Sequence, residues 1–306
     1  MKAKKITILL ILLAALTVTV FFSCAVMEAL GMEQVGSGLL QAVGVSPRIA
    51  DAIAKSGVAW AKTFEQITPE QEYYIGRAVA ANVLATYKIQ TSNPALTTYV
   101  NKICNTLLIN SPRPEIYNGY HVNILDSDEI NAFATPGGHI FITRGLVNCT
   151  TSEDTLASVI AHEVSHIQLE HGLKAIKNSR INQALAVTAT SAGSAATGVN
   201  LEELTSTFGF SINEIMVTMM NNGYSQNQEF DADSTALSLL TLAGYEPSSL
   251  IDMLQVLDRE QGSHPGGFNS THPTPRQRID NAQKSVGKYS VQDTRSYRQD
   301  RYRATI

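Results

Sequence analysis

Two histidines four residues apart are the first side chains in this sequence whose types and spacing could do chemistry. They belong to the run His162-Glu163-Val164-Ser165-His166, inside a stretch whose apolar residues recur at helical spacing. Because residues i and i+4 project from one face of a helix, both imidazoles could bind one zinc ion, and Glu163 could take a proton from a water beside it. The alternative interpretation is a solvated helix face with two incidental histidines.

A catalytic zinc ion takes three protein ligands, so the third must come from outside this helix. Glu229 is the best candidate among the downstream acids, because Glu229 and Asp233 lie one turn apart on a predicted helix. There Glu229 could bind the metal while Asp233 accepts the outer N–H of a ligand histidine and orients that imidazole. The alternative is an exposed acidic helix start. His171 is mis-spaced for a ligand and is interpreted as a C-terminal residue of the first helix, favourable at the negative end of its dipole.

Helical and β-like segments around these residues are the elements that must position them. Turn residues and alternating apolar residues predict short strands at 121–125, 132–135 and 139–143. A capping box of Thr150 with Glu153 begins the histidine helix, which is predicted to reach about Ile176. Further helices are predicted at 68–87, 94–109, 226–243, 247–260 and 275–284. The small residues at 184–200 could form either a helix or a lid. Helices around a small sheet predict an α+β domain.

The segment from Pro136 to Ile140 is the predicted docking site for an extended peptide. Gly137 and Gly138 lack side chains and would let another backbone approach, and His139 and Ile140 begin the strand that follows. If this strand is an exposed sheet edge, a peptide could add to it as a further strand. The alternative interpretation is a tight turn before a core strand.

The composition is that of one large globular domain and excludes a disordered chain or a nucleic-acid-binding arm. The 306 residues are 44% hydrophobic and 16% charged, with a formal net charge of −4. The domain is predicted to span residues 66–286, after a lead-in at 24–65 that is rich in small residues. Residues 287–306 are basic and nearly free of apolar residues. They are predicted to be a mobile tail that could touch anionic lipid.

The first 23 residues have the features of an export signal of the lipoprotein type. Three lysines precede an apolar run at Ile6–Phe22, and Cys24 follows a small residue, as in the bacterial lipobox. A lipid on Cys24 would anchor the chain at a membrane on the periplasmic side of the cell envelope, with the outer membrane favoured because Ala25 follows. An uncleaved anchor and plain secretion are the alternatives. Outside the cytoplasm, Cys104 and Cys149 could form a disulfide or stay free thiols.

Four motifs in order give the chain a resemblance to a known family. They are His162-Glu163-x-x-His166, Glu229-x-x-Ala232-Asp233, the earlier run from Asn131 to Ile140, and Thr271-His272-Pro273 followed by Arg278-Ile279. Together they resemble the membrane-associated gluzincin zinc metallopeptidases of the HtpX, BepA and LoiP kind, related to the CAAX prenyl protease. The envelope lipoprotein members look most similar. The resemblance implies a mainly helical zincin-type domain with an HExxH active-site helix, one zinc ion per chain, and a role in quality control of envelope proteins.

The implied reaction is endoproteolysis of misfolded or unassembled envelope proteins. Glu163 would take a proton from water and return it to the leaving amine, with zinc as the cofactor. The rival hypothesis is a zinc-dependent holdase that binds misfolded chains without cutting them. The presence of Glu163 argues against it, because holding a peptide needs no general base. A structural zinc module would need a closed four-ligand site, and no suitable cysteine lies near the motif.

His272 is the candidate for the open side of the zinc ion. The following Pro273 restricts the backbone of His272 to an extended conformation. Two roles stay open at this point. His272 could donate a hydrogen bond to the oxyanion of the reaction, or it could occupy the fourth zinc position until substrate displaces it. A surface histidine before a proline turn is the third interpretation.

Overall fold

The computed structural model describes residues 41, 66–177, 215–260, 271–272 and 275–306. Four predicted features lie outside the described residues: the export signal at 1–23, Cys24, nearly all of the lead-in at 24–65, and the small-residue stretch at 184–200. Residues 68–175 and 212–306 form one compact unit, which carries every element named below. The other unit, residues 1–67 and 176–211, lies almost wholly outside the described residues.

Helices dominate this unit and surround a single small sheet. The named helices are α1 (Pro69–Thr86), α2 (Pro94–Leu108), α3 (Arg144–Cys149), α4 (Glu153–Gln168), α5 (Gln226–Leu242), α6 (Ser249–Glu260), α7 (Pro275–Val286) and α8 (Arg295–Thr305). The strands are β1 (His121–Leu125), β2 (Ala132–Ala134) and β3 (His139–Thr143). A 3-10 turn at Pro136–Gly138 leads into β3, and a π-helical turn at Thr218–Asn222 precedes α5. This arrangement confirms the predicted α+β class.

The sheet has the order β1-β3-β2, with β1 parallel and β2 antiparallel to β3. β3 is therefore the central strand, and its Ile140 is fully buried. The prediction of an exposed edge at Gly137, Gly138, His139 and Ile140 is wrong, because β1 and β2 pair with the two sides of β3 and leave no edge for a peptide.

Gly137 and Gly138 make a tight turn and not a docking surface. Their φ angles are 71° and 98°, in the region that favours glycine. A Cβ on Gly137 would lie 2.6 Å from Tyr73 Cα, and one on Gly138 would lie 2.3 Å from the Gly119 carbonyl oxygen. The two glycines thus allow the chain to pack closely inside the domain, so the alternative interpretation of a turn before a core strand is the correct one.

Helix α4 lies at the centre of the unit, with every residue from Glu153 to Ile167 buried. Its first turn is capped by Ser152, whose side chain accepts a hydrogen bond from the Thr155 backbone N–H at 3.1 Å. The predicted capping box of Thr150 with Glu153 is therefore displaced by two residues. The cap satisfies backbone donors that would otherwise be buried without a partner.

The C-terminal end of α4 is a sharp break. The helix ends at Gln168 and does not continue to Ile176 as predicted. Glu170 takes a positive φ of 56°, which turns the chain before residues 171–177 become helical again. The apolar residues keep their helical spacing through both segments, so the sequence pattern gives no sign of this break.

The C-terminal residues form helix α8, so the prediction of a mobile tail at 287–306 is wrong. Arg298 is buried, and its Nε donates to both carboxylate oxygens of Asp154 at 3.1 and 3.0 Å. Arg301 Nη2 donates to Glu153 at 2.6 Å. The positive charges at this end therefore pair with the acids in the first turn of α4, and the domain extends beyond its predicted boundary at residue 286.

Two further observations concern the membrane and redox state. Among the described helices, none combines the length and the apolar character needed to cross a membrane. Cys104 and Cys149 are both free thiols, so of the two interpretations for this pair the structure shows the unbonded one.

Candidate metal centre

Helix α4 presents His162 and His166 on one face. Their ring centroids are 4.7 Å apart and their Nε2 atoms 3.1 Å apart. Both side chains are buried, as is Glu163 beside them, and neither carboxylate oxygen of Glu163 has a hydrogen-bond partner among the described residues. The structure thus brings together the three residues that the i, i+4 spacing singled out.

Helix α5 packs against α4 and brings Glu229 to the two histidines. Ser225 caps the first turn of α5, which places Glu229 within that turn. The buried carboxylate lies with Oε2 3.5 Å from His162 Nε2 and Oε1 3.5 Å from His166 Nε2. Glu229 is therefore placed where a third ligand is required.

His272 contributes a fourth donor to the same cluster. Its Nδ1 lies 3.1 Å from Glu229 Oε1 and 3.3 Å from His162 Nε2, and its Nε2 lies 3.6 Å from Glu163 Oε1. One donor atom from each of His162, His166, Glu229 and His272 lies within 4.8 Å of the others. His272 is buried, which excludes the interpretation as a surface histidine and leaves the two roles at the metal.

The spacing of these donor atoms fits a tetrahedral zinc ion. Ligand atoms that lie about 2.0–2.1 Å from a tetrahedral zinc are about 3.3 Å apart. Five separations among these residues run from 3.1 to 3.5 Å when both oxygens of Glu229 are counted, and one donor atom from each of the four residues lies within 4.8 Å of the others. Two imidazoles and one carboxylate are also a donor set of catalytic zinc, with the fourth position left for water, substrate or another side chain.

Each ligand histidine has a partner for its outer ring nitrogen. Asp233 Oδ1 lies 3.0 Å from His162 Nδ1, and His171 Nδ1 lies 2.9 Å from His166 Nδ1. When a ligand offers Nε2 to a metal, its Nδ1–H donates to this partner, which fixes the tautomer and the ring orientation. Asp233 lies where the sequence placed it.

His171 has a different role from the one inferred from the sequence. It is fully buried, and burial followed by the positive charge of Lys174 lowers its pKa to about 4. A neutral imidazole cannot act as a cation at the negative end of a helix, so that prediction is wrong. The turn at Glu170 brings His171 back against His166, and spacing within a continuous helix gave no sign of this contact.

Arg278 is a buried cation. In the sequence it was included in a family motif but was given no role. Its Nη2 and Nε donate to the two carboxylate oxygens of Asp233 at 2.7 and 2.9 Å. Its Nη1 lies 3.0 Å from Glu229 Oε2. The guanidinium thus holds both acids in place from helix α7. In the sequence, the only indication was that an arginine follows His272 in the same motif. Nothing in that pattern identified the residues that the arginine contacts.

The two buried glutamates differ in their electrostatic surroundings. Burial raises the pKa of Glu163 above its ordinary value. Burial acts in the same direction on Glu229, but the charges of His272 and Arg278 outweigh it and hold the pKa of Glu229 well below its ordinary value. Such a division is typical of sites in which one carboxylate stays charged while the other exchanges protons.

Strand β2 is the sheet edge beside the cluster. Asn131 accepts a hydrogen bond from Thr143 N–H in β3, and Thr135 N–H donates to the His139 carbonyl. Backbone groups alternate along an antiparallel pair, so Ala134 directs its N–H and C=O away from β3. Within the described ranges no other strand pairs with that side of β2.

The start and the end of β2 both approach the metal ligands. Thr271, which precedes His272, donates its hydroxyl to Asn131 Oδ1 at 3.2 Å. A small cavity, too narrow to hold a water molecule, lies at the other end of the strand. Its lining includes Ala134, Thr135, His166, Ile167, Gly172 and Leu173. The edge strand therefore runs from the His272 segment to a small cavity beside His166.

Comparison with known proteins gives a family match over most of the described domain. Residues 94–286, more than half of the chain, match the model of peptidase family M48. The matched range contains the whole sheet, α4 and all four residues of the donor cluster.

Individual relatives agree with this match at low identity. The beta-barrel assembly-enhancing protease of Escherichia coli K12 is 28% identical over 203 residues, 64% of this chain and 40% of the relative. Metalloprotease LoiP of the same organism is 25% identical over 270 residues, 87% and 92% of the two chains. The mitochondrial metalloendopeptidase OMA1 of Schizosaccharomyces pombe is 23% identical over 222 residues, 71% and 62%. The chain spans about two fifths of the length of the assembly-enhancing proteases that it matches.

Proposed function

We propose that this chain, which belongs to peptidase family M48, is a zinc metalloendopeptidase that cleaves misfolded or unassembled proteins of the bacterial cell envelope. The observation that carries the proposal is the buried cluster of His162, His166 and Glu229, with the carboxylate of Glu163 beside it. These residues would hold one zinc ion per chain.

The chain's own residues divide the steps of hydrolysis among them. A bound zinc ion supplies acidification of water and polarisation of the scissile carbonyl. Glu163 accepts the proton of the attacking water and delivers it to the amine that leaves. Its carboxylate is buried beside the ligand histidines with no hydrogen-bond partner among the described residues, which leaves its oxygens available to accept that proton. Asp233 and His171 keep the ligand imidazoles oriented throughout.

An extended substrate segment would pair with the side of β2 that no described strand occupies. The β2 residues are buried, so that side has to open when the segment binds. Ala134 presents backbone donor and acceptor groups there, and a peptide added as a further strand would pass between the His272 segment and the cavity beside His166. Only a segment without secondary structure of its own can pair in this way. The edge therefore favours unfolded or unassembled chains over folded domains.

The proposed location is the periplasmic side of the envelope, with the enzyme held at the outer membrane by a lipid on Cys24. The basic start, the apolar run at Ile6–Phe22 and the cysteine that follows support this assignment. Relatives named beta-barrel assembly-enhancing protease support β-barrel proteins as a substrate class. The net charge of −4 gives no reason to expect a nucleic-acid partner.

The rival function is a zinc-dependent holdase, and one experiment separates the two. Purified full-length chain loaded with zinc should fragment casein and an unfolded β-barrel precursor, a chelator should stop the cleavage, and added zinc should restore it. If no fragments form while aggregation of the precursor is suppressed, the holdase is correct. The free carboxylate of Glu163 favours the peptidase, since holding needs no general base.

A further inference from the structure

Two buried side chains around the candidate metal centre have no hydrogen-bond partner for any of their polar side-chain atoms among the described residues. One is the carboxylate of Glu163, and the other is the hydroxyl of Tyr224. The Tyr224 side chain is 5% exposed. Leaving a buried hydroxyl unpaired is unfavourable, so we expect this hydroxyl to find its partner in a bound molecule.

The backbone fixes Tyr224 between the two segments that bring Glu229 and His272. Its N–H donates to the Thr271 carbonyl at 3.3 Å. Gly223 before it has a φ of 72°, a turn that favours glycine. Ser225 after it caps α5. Tyr224 is therefore held by the same elements that assemble the metal ligands.

The ring of Tyr224 is held against a ligand. It stacks on His166 with centroids 4.1 Å apart and an interplanar angle of 19°, and its centroid lies 6.1 Å from that of His272. A phenol is protonated at neutral pH, so the hydroxyl is a neutral hydrogen-bond donor.

The guanidinium of Arg278 and the imidazole of His272 already contact other residues of the site. Arg278 is bound to Asp233 and Glu229, and His272 directs Nδ1 at Glu229. Tyr224 has no such contact. It is a neutral donor, which can stabilise a developing negative charge without competing with the metal for Glu229.

We propose that Tyr224 is a catalytic residue whose hydroxyl donates a hydrogen bond to the carbonyl oxygen of the scissile peptide as that oxygen becomes negatively charged. The proposal rests on the proposed peptidase function. It assigns the oxyanion donor to Tyr224 and leaves His272 free to act at the fourth metal position. A donor of this kind contributes about 10²–10³-fold to kcat.

The test compares Tyr224→Phe with the wild-type full-length enzyme. The variant keeps the ring that stacks on His166 and loses only the hydroxyl. We expect zinc stoichiometry and zinc affinity to be unchanged, KM for a fluorogenic peptide to be similar, and kcat to fall by about 10²-fold or more. A phosphinic peptide with the same side chains mimics the tetrahedral state, so its affinity should fall by about the same factor as kcat/KM.

Tyr120→Phe is the matched control, because Tyr120 is a buried tyrosine whose hydroxyl donates to the Arg113 carbonyl. It should leave zinc stoichiometry, zinc affinity, KM, kcat and inhibitor affinity unchanged. Wild-type kcat and inhibitor affinity in Tyr224→Phe would overturn the proposal, and so would loss of zinc, which would show that the hydroxyl acts on the metal ligands. A wild-type enzyme that cleaves no peptide would instead contradict the proposed function.

Discussion

His162 and His166 are chemically equivalent ligands in the sequence, yet the fold gives them different outer partners. His162 has the carboxylate of Asp233, itself bound by Arg278, whereas His166 has the neutral imidazole of His171. A carboxylate acceptor makes a ligand imidazole more basic than a neutral acceptor does. The affinity of the site for zinc therefore depends on two residues that do not touch the metal.

His171→Ala should weaken zinc binding by about 10- to 100-fold, because His166 loses the acceptor that fixes its tautomer. Competition with a zinc-chelating dye measures this directly. His121→Ala is the control, since His121 is an exposed histidine bonded only to the Asn118 carbonyl among the described residues. Equal zinc affinities for the two variants would show that His171 does not orient the ligand.

His272→Ala should raise kcat on an unfolded substrate. The Nδ1 atom of His272 lies among the other donor atoms, where it can hold the fourth position against water and substrate. Zinc should stay bound, because three ligands remain. Steady-state kinetics with zinc analysis checks both points. A fall of about 10²-fold would assign His272 to the oxyanion instead, and an unchanged rate would reject both roles.

Helix α4 is held at its N-terminal end by contacts between residues far apart in sequence, and a local turn ends it. Acids in its first turn pair with α8, and the turn at Glu170 closes its C-terminal end. Such acids are favourable near a helix N-terminus even without a partner. Buried, however, they need a compensating charge, and Arg298 provides it for Asp154.

Arg298→Ala should destabilise the domain by about 3 kcal/mol, because it leaves the buried Asp154 without its cation. For a domain of this size that corresponds to a fall in Tm of about 10 °C. Thermal unfolding of the zinc-loaded chain measures it. Arg295→Ala is the matched control, since Arg295 and its partner Asp293 are both exposed, and such pairs contribute about 0–1 kcal/mol. Equal Tm values for the two variants would contradict a structural role for α8.

Local patterns in the sequence predicted most of the helices and strands and the side chains that meet at the candidate metal centre. The i, i+4 histidines and the acids one turn apart lie on single helices, so their spacing alone determined which side chains share a face. The contacts of Tyr224, His171 and Arg278 depend on how segments pack, and no spacing rule reports that. Packing also explains why the prediction that β3 is an exposed edge was wrong. The sequence of a strand does not show whether another strand pairs with it, as β1 does here.

At the scale of the whole molecule, the catalytic domain and its proposed attachment are separate parts of the chain. The described unit contains the metal ligands and the sheet edge. The proposed membrane attachment is at Cys24, outside the described residues. The domain should therefore work without its anchor.

Cys24→Ser should move the protein from the membrane fraction to the soluble fraction while kcat/KM on a short peptide stays within about twofold, because the variant retains the complete metal site. Fractionation and mass spectrometry of the mature N-terminus are the measurements. A wild-type chain that still begins at Met1 and carries no lipid would support an uncleaved anchor.

The most direct test of the peptidase mechanism is the activity of Glu163→Gln with its zinc content measured on the same sample. The amide has nearly the same shape as the carboxylate but cannot accept a proton from water. We expect one zinc ion per chain and a loss of peptide cleavage of at least about 10³-fold. A variant that binds zinc and cleaves at the wild-type rate would contradict the role of Glu163 as the general base.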